Sequence, residues 1–394
     1  MRILMMTTPV PTHFTPIVPL AWAFRAAGHD VMVAGQPDVM GMVRSAGLVG
    51  TSIGERFGVE DWLRGKLQGD KRPIETLPRP RADDMGVFGQ VWMAHTQETL
   101  PGQLAFAREF RPDLVVADQM EYTALIVGGV LGVPVVHHRW GVDAMSDQSL
   151  RAVRPGLAPL CAEFGLEALP EPDVKLDPCP PSLQLPSADP GTPIRHVPFN
   201  GSGELAPWAR ELRVSGGSGA GKARRVAVSL GRSTLALNGV PHLRLMLQAF
   251  GRLPDVEVIA TVGEEHRAEI GPLPDAVRLV EPTPLHLFLG ACDAVVHHGG
   301  AGTAMTATSF GLPQLVLPQL SDAFGTGEQL QKRGAGLVLD DAETQSDPAA
   351  LSSALSALLT DSAHREAARE LRAEMAGMPS PARVAEDLTR LAAR

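Results

Sequence analysis

Apolar residues along this chain fall into runs of about five, and these alternate with stretches in which apolar positions recur at helical spacing. The opening shows the unit. "RILMMTT" (2–8) is a continuous apolar run; Ile17, Leu20, Ala21 and Phe24 then recur at i, i+3, i+4 and i+7, and Gly28 closes the helix before "DVMVAG". "DLVVAD" (113–118), a helical stretch from Glu121 and "VPVVHH" (133–138) continue the alternation. The second half carries it through "RVAVSL" (225–230), "VEVIATV" (256–262), "VRLV" (277–280), "DAVVHH" (293–298), "PQLVLP" (313–318) and "AGLVLD" (335–340). Short strands that are apolar on both faces and separated by helices belong to parallel sheets covered on both sides.

The alternation is interrupted between 168 and 221, where Pro, Gly, Ser and Asp dominate up to "RVSGGSGAGKARR". A chain of 394 residues, 44 % hydrophobic, suits two domains of about 200 residues each. The expectation is an α/β protein of two facing Rossmann-like domains, residues 1–200 and 224–378, with a Gly/Ser-rich linker at 201–223 and a terminal helix at 379–394.

Charge and cysteine usage narrow the partners. Lys plus Arg number 35 against 44 Asp plus Glu, a net of −9, which argues against a nucleic-acid partner. Cys161, Cys179 and Cys292 are scattered and lack metal-like spacing, as in a reducing cytosol. The N-terminus has one charge and only a short apolar stretch before Pro9, far short of a signal sequence or a membrane span, so a cytoplasmic location is expected.

Two glycine-rich segments compete for phosphate chemistry. "GGSGAGKA" (216–223) nearly spells a phosphate loop, but Ala223 stands where a metal-binding hydroxyl is needed and a strand follows where a helix should. It reads as linker. In "VVHHGGAGTAMTATSFG" (295–311) a buried strand runs through His297 and His298 into glycines and a helix ending at Gly311. A helix start offers free N–H groups and about half a positive charge, and glycines let an anion approach the backbone.

"HHGGAGT" followed by "GLPQLVLPQLSDAFGTGEQL" closely resembles the donor-binding signature of family 1 glycosyltransferases with the GT-B fold, in particular actinomycete enzymes that glycosylate polyketides and other natural products. "HRWGVD" (138–143), "LDPCPPSLQ" (176–184), "SLGRS" (229–233) and a terminal helix of the kind that crosses back to the N-terminal domain extend the resemblance over nearly the whole chain. The resemblance implies a nucleotide-diphosphate sugar as co-substrate, with no further cofactor, and a natural-product aglycone as acceptor. It places His298, Gly300, Gly302 and Thr303 on the pyrophosphate with Gly231 and Arg232 nearby, Val280 and Pro282 at the base, and Asp322 on sugar hydroxyls. No Asp-x-Asp occurs and no carboxylate pair precedes the glycine turn, so no metal is implied. A homodimer and an auxiliary activator protein stay open; the sequence points to neither.

His13, directly after the first strand, matches the family's catalytic base, and Asp118, at the end of "DLVVAD", matches the acid that orients it. Position supports this, because parallel sheets place ligands at their carboxyl ends. Phe57, Trp62, Phe88, Trp92 and His95 on the segment 57–95 suit a flat, greasy acceptor, with Trp62, Phe88 and above all Trp140 as candidates. A dinucleotide oxidoreductase is disfavoured, since "TTPVPTHFTP" has no glycine. A nucleotide-sugar epimerase and a silent sugar-nucleotide-binding protein are the remaining alternatives.

Overall fold

The computed structural model of the chain describes residues 1–77, 79, 85–215 and 223–393, with the backbone alone at 85–88 and 215. Among the described residues, β1 (Arg2–Met6), β2 (Asp30–Gly35), β3 (Val49–Ser52), β4 (Leu114–Asp118), β5 (Val135–His138), β6 (Val174–Asp177) and β7 (Thr192–Pro193) form one parallel sheet. Its order is β3-β2-β1-β4-β5-β6-β7. A second sheet is built from β8 (Arg224–Ser229), β9 (Val256–Thr261), β10 (Val277–Val280), β11 (Ala294–His297), β12 (Gln314–Val316) and β13 (Gly336–Val338), in the order β10-β9-β8-β11-β12-β13. These are the two Rossmann-like domains of the GT-B fold. The continuous apolar runs are the central strands, buried on both faces as a helix-covered parallel sheet requires.

Both sheets wind outwards in opposite directions from a central pair, β1 beside β4 and β8 beside β11. At such a pair the connections leave on opposite faces and open a crevice at the carboxyl ends of the strands.

Three strands towards the margins of the first sheet had no apolar run to announce them. β3 (VGTS) is mostly exposed, and β6 and β7 lie within the Pro- and Asp-rich span after 168. Inside the segment read as linker, residues Pro207–Ser215 form a helix whose Ala209 and Leu212 pack with Val280, Leu285 and Phe288 of the second domain. The glycine-rich stretch 216–222, Lys222 included, lies outside the described residues.

The chain ends by returning to its start. Val384, Ala385 and Leu388 of the helix Pro381–Ala392 are buried against Leu20 and Phe24 of the helix Val18–Ala26, and Thr389 Oγ1 lies 3.1 Å from His29 Nε2. The two domains also share an apolar cluster, in which Val142, Cys179 and Leu183 of the first meet Ala304, Met305 and Leu371 of the second.

Leu388→Ala is expected to destabilise the protein by about 2–5 kcal/mol through the cavity it leaves. Arg390→Ala, on the exposed side of the same helix, should change stability by less than about 0.5 kcal/mol. Denaturant unfolding of both variants checks this.

Candidate active site

Strand register assembles the first crevice. Met6 pairs with Ala117 across β1 and β4, so Thr7 and Thr8 come level with Asp118. The Asp118 carboxylate is fully buried and receives four donors: Thr8 N–H (2.6 Å), the Thr7 and Thr8 hydroxyls (3.0 Å each) and Met120 N–H (2.9 Å). Burial and the neighbouring Glu121 nevertheless push its pKa up to about 6, because the hydrogen bonds only partly offset the loss of water.

His13 reaches this carboxylate through a hydroxyl. Its Nδ1 lies 2.7 Å from Thr8 Oγ1, which in turn donates to Asp118. The imidazole stacks on Trp140 at a centroid distance of 3.7 Å and meets Trp92 edge-on at 6.0 Å. Burial lowers its pKa to about 3, so at neutral pH the ring is uncharged and able to take a proton. Behind Trp92, His95 Nε2 is 3.0 Å from Glu121 Oε2, and both are buried. Burial works against charge on each, yet their mutual attraction raises the pKa of His95 and lowers that of Glu121.

Trp140 is held by its neighbour. Arg139, 1 % exposed, forms salt bridges with Asp143 (2.8 Å), Asp147 (2.7 Å) and Asp177 (3.0 Å). Gln184 closes the loop, donating to Asp177 and accepting from Asp143 N–H at 2.8 Å. The two sequence segments "HRWGVD" and "LDPCPPSLQ" are thus one buried polar network.

The second crevice repeats the logic. His297 pairs with Ser229 across β11 and β8, bringing Gly231 beside His298. A Cβ on Gly231 would come within 2.7 Å of His298 Cε1, and one on Gly300 within 2.5 Å of His298 Nε2, so glycines clasp the ring on both sides. Burial lowers the pKa of His298 to about 4. His297 points elsewhere: its Nδ1 accepts from Gly299 N–H at 3.0 Å and its Nε2 donates to Gln314 Oε1 at 2.8 Å, shaping the turn. Gly299, at φ +90°, turns the chain so tightly that a Cβ there would strike Ala323. The helix Ala301–Phe310 starts at Gly300 with no side-chain cap, leaving its first N–H groups open to an anion.

The two crevices meet at Gly141. A Cβ on this residue would lie 3.2 Å from Ala301 and 3.3 Å from Met305, so the residue after Trp140 rests on the first turn of the glycine-turn helix.

Residues 22–231 match the N-terminal domain, and residues 244–391 the C-terminal domain, of the family described as erythromycin biosynthesis protein CIII-like. The chain belongs to this glycosyltransferase family. It is 35 % identical to L-demethylnoviosyl transferase of Streptomyces niveus over 98 % of this chain and 97 % of that protein. Tylactone mycaminosyltransferase of Streptomyces fradiae is 34 % identical over 100 % of this chain and 93 % of its own length. The structure of spinosyn rhamnosyltransferase SpnG complexed with thymidine diphosphate is 36 % identical and superposes with a TM-score of 0.86, covering 99 % of this chain and all of that one.

Within this glycosyltransferase the expected residues separate into those that converge and those that do not. His13, Asp118 and Trp140 form one group, and Gly231, His298, Gly300, Gly302 and Thr303 another. Asp322, just ahead of the helix Ala323–Lys332, has a pKa raised to about 6, chiefly by burial, with Asp143 of the first domain adding to it. Val280 buries its side chain in the core and its carbonyl accepts from Val262 N–H at 2.9 Å, while Pro282 is exposed. Arg232 is 72 % exposed and turned towards Glu60 at 4.0 Å. Trp62 is 37 % exposed with Lys66 over its ring, apart from the His13 group; the side chain of Phe88 lies outside the described residues.

Sequence reading missed Thr8, Arg139 and the bridging segment 60–72. Glu60, Arg64, Gly69, Lys71 and Arg72 of that segment bond Ser233, Ala236, Asn238 and Gln345 of the second domain. "TT" after the first strand was the available signal for Thr8; nothing local marks the others. No helix among the described residues is long and apolar enough to cross a bilayer.

His95→Leu should cost about 3–5 kcal/mol by leaving Glu121 charged and unpaired in the interior. The stability difference between the wild type and His95→Leu/Glu121→Leu should reach its extreme between pH 4.5 and 6.5. Below this window Glu121 takes up a proton and above it His95 loses one, so the attraction fades on either side. Urea unfolding across pH measures both.

Proposed function

We propose that this glycosyltransferase moves a deoxysugar from thymidine diphosphate to a hydroxyl of a polyketide or related natural-product aglycone in the cytoplasm, by a single metal-independent displacement that inverts the anomeric carbon. The observation that carries this reading is the junction at Trp140 and Gly141: one residue stacks on His13 and the next rests on the glycine-turn helix. A base and an anion site built on different domains are thereby set side by side. Relatives named for deoxysugar transfer, and a neighbour solved with thymidine diphosphate, support the choice of donor.

In this reading His13 Nε2 takes the acceptor hydroxyl proton as the oxygen attacks the anomeric carbon. The bond to the diphosphate breaks with its electron pair, and the developing charge meets His298 and the uncapped N–H groups of Ala301–Phe310. The charge that forms on His13 is stabilised by the Trp140 ring face. The resemblance to family 1 glycosyltransferases implies Asp-Gln where this chain has Asp322 and Ala323. Without the carboxamide, a fully hydroxylated sugar would bury a polar group with no partner, at a cost of about 1–3 kcal/mol, whereas a deoxysugar would not.

Incubation with thymidine-diphosphate deoxysugars, uridine-diphosphate glucose and an aglycone panel, read by mass spectrometry and by the anomeric coupling of the product, tests this. Preference for glucose, or retention of anomeric configuration, would overturn it. His13→Ala should lower kcat at least about 10²-fold while leaving thymidine diphosphate binding intact. In calorimetry, His298→Ala and Gly231→Ala should each weaken that binding about ten-fold or more, the latter because its Cβ displaces the ring, while Lys222→Ala should not.

A further inference from the structure

We propose that Thr8 is a positioning residue that sets the tautomer of His13: its hydroxyl, committed as a donor to Asp118, accepts from Nδ1–H and so leaves the lone pair on Nε2. This rests on the reading of His13 as the base. No hydrogen bond joins Asp118 to His13 directly among the described residues; the Thr8 hydroxyl stands between them, 3.0 Å from Oδ2 and 2.7 Å from Nδ1.

The direction of each bond follows from donor arithmetic. A threonine hydroxyl has one proton to give and lone pairs with which to accept. An ionised carboxylate only accepts, and here Asp118 already gathers Thr7 O–H, Thr8 N–H and Met120 N–H around it. The Thr8 proton therefore goes to Asp118. At the 2.7 Å contact the imidazole must then be the donor, through Nδ1–H, and which ring nitrogen is free is decided by the bond the other makes. In the reaction the acceptor proton arrives at Nε2 and Nδ1 keeps its own. The imidazolium charge is met by Asp118 through the intervening hydroxyl, and Nε2 returns the proton to solvent after product leaves.

Protonation of Asp118 would reverse the chain: Asp118 O–H would donate to Thr8, Thr8 to Nδ1, and the proton on the ring would sit on Nε2. The groups that face Asp118 and bias this step are Glu121 and Tyr122 beyond it, His95 from the helix Met85–Phe110, and His13 on the far side of Thr8. An acid limb in kcat/KM is thus expected from a residue that never touches the base.

Thr8→Val, Thr8→Ser and both in a His13→Ala background form the test. Valine should lower kcat about ten-fold or more with KM for donor and acceptor within about two-fold, while serine, which restores the hydroxyl, keeps at least about a third of kcat. Imidazole ¹⁵N shifts should report the Nδ1–H tautomer in the wild type and Thr8→Ser, and the Nε2–H tautomer in Thr8→Val. In His13→Ala, Thr8→Val should cost nothing further. More than about half of wild-type kcat in Thr8→Val, a serine variant as impaired as valine, or an Nε2–H tautomer in the wild type would each overturn the proposal. Full turnover in His13→Ala would instead defeat the base assignment, and the nitrogen shifts would still decide the role of the hydroxyl.

Discussion

A guanidinium shut away from water needs opposite charge around it, and Arg139 is surrounded by three carboxylates drawn from two separate segments. Asp143 and Asp147 come from the loop and helix after β5, and Asp177 from the end of β6. Their convergence gives the chain between β5 and the helix Ser146–Glu163 one shape. The consequences spread outward from that shape. Trp140 is presented flat to His13, and Gly141 is pressed onto the glycine-turn helix. A buried ion cluster adds little net stability compared with an apolar core of the same volume. Its contribution here is geometric: three carboxylates placed around one planar guanidinium tolerate few alternative arrangements.

The two crevices both set N–H donors and an imidazole at the ends of their central strands. Beside β1 and β4 a buried carboxylate is held by four donors behind a neutral imidazole; beside β8 and β11 stand an uncapped helix start and a clasped imidazole. Desolvation makes both work. It keeps His13 uncharged and raises Asp118 and Asp322, and it strengthens every charge interaction that a reacting molecule would meet. Glu60, Gly69 and Arg72 tie the first domain to Ser233, Asn238 and Gln345 of the second.

Much of this could be read from periodicity. The central strands, the helix ending at Gly311, the helix starting after Glu121 and the two-sheet architecture all follow from local rules. Two runs of "VVHH" with different sequels pointed to the crevices, and they lie at the ends of β5 and β11. β3, β6 and β7 escaped because their few apolar residues make no continuous run, and the helix Pro207–Ser215 escaped because its apolar face is short and set in a polar stretch.

What the sequence alone determined is therefore everything that depends on neighbours within a turn of helix or along one strand: the α/β class, the glycine turn, and histidines at strand ends. Register and burial decided the rest. That Thr8 rather than Asp118 touches His13, that His297 braces the turn while His298 faces it, that Val280 points inwards and that Trp62 stands apart are facts of strand alignment and packing. The physical reason is separation along the chain. Thr8 and Asp118, or Arg139 and Asp177, are joined by pairing between strands far apart in sequence, and such contacts leave no local period from which to read them.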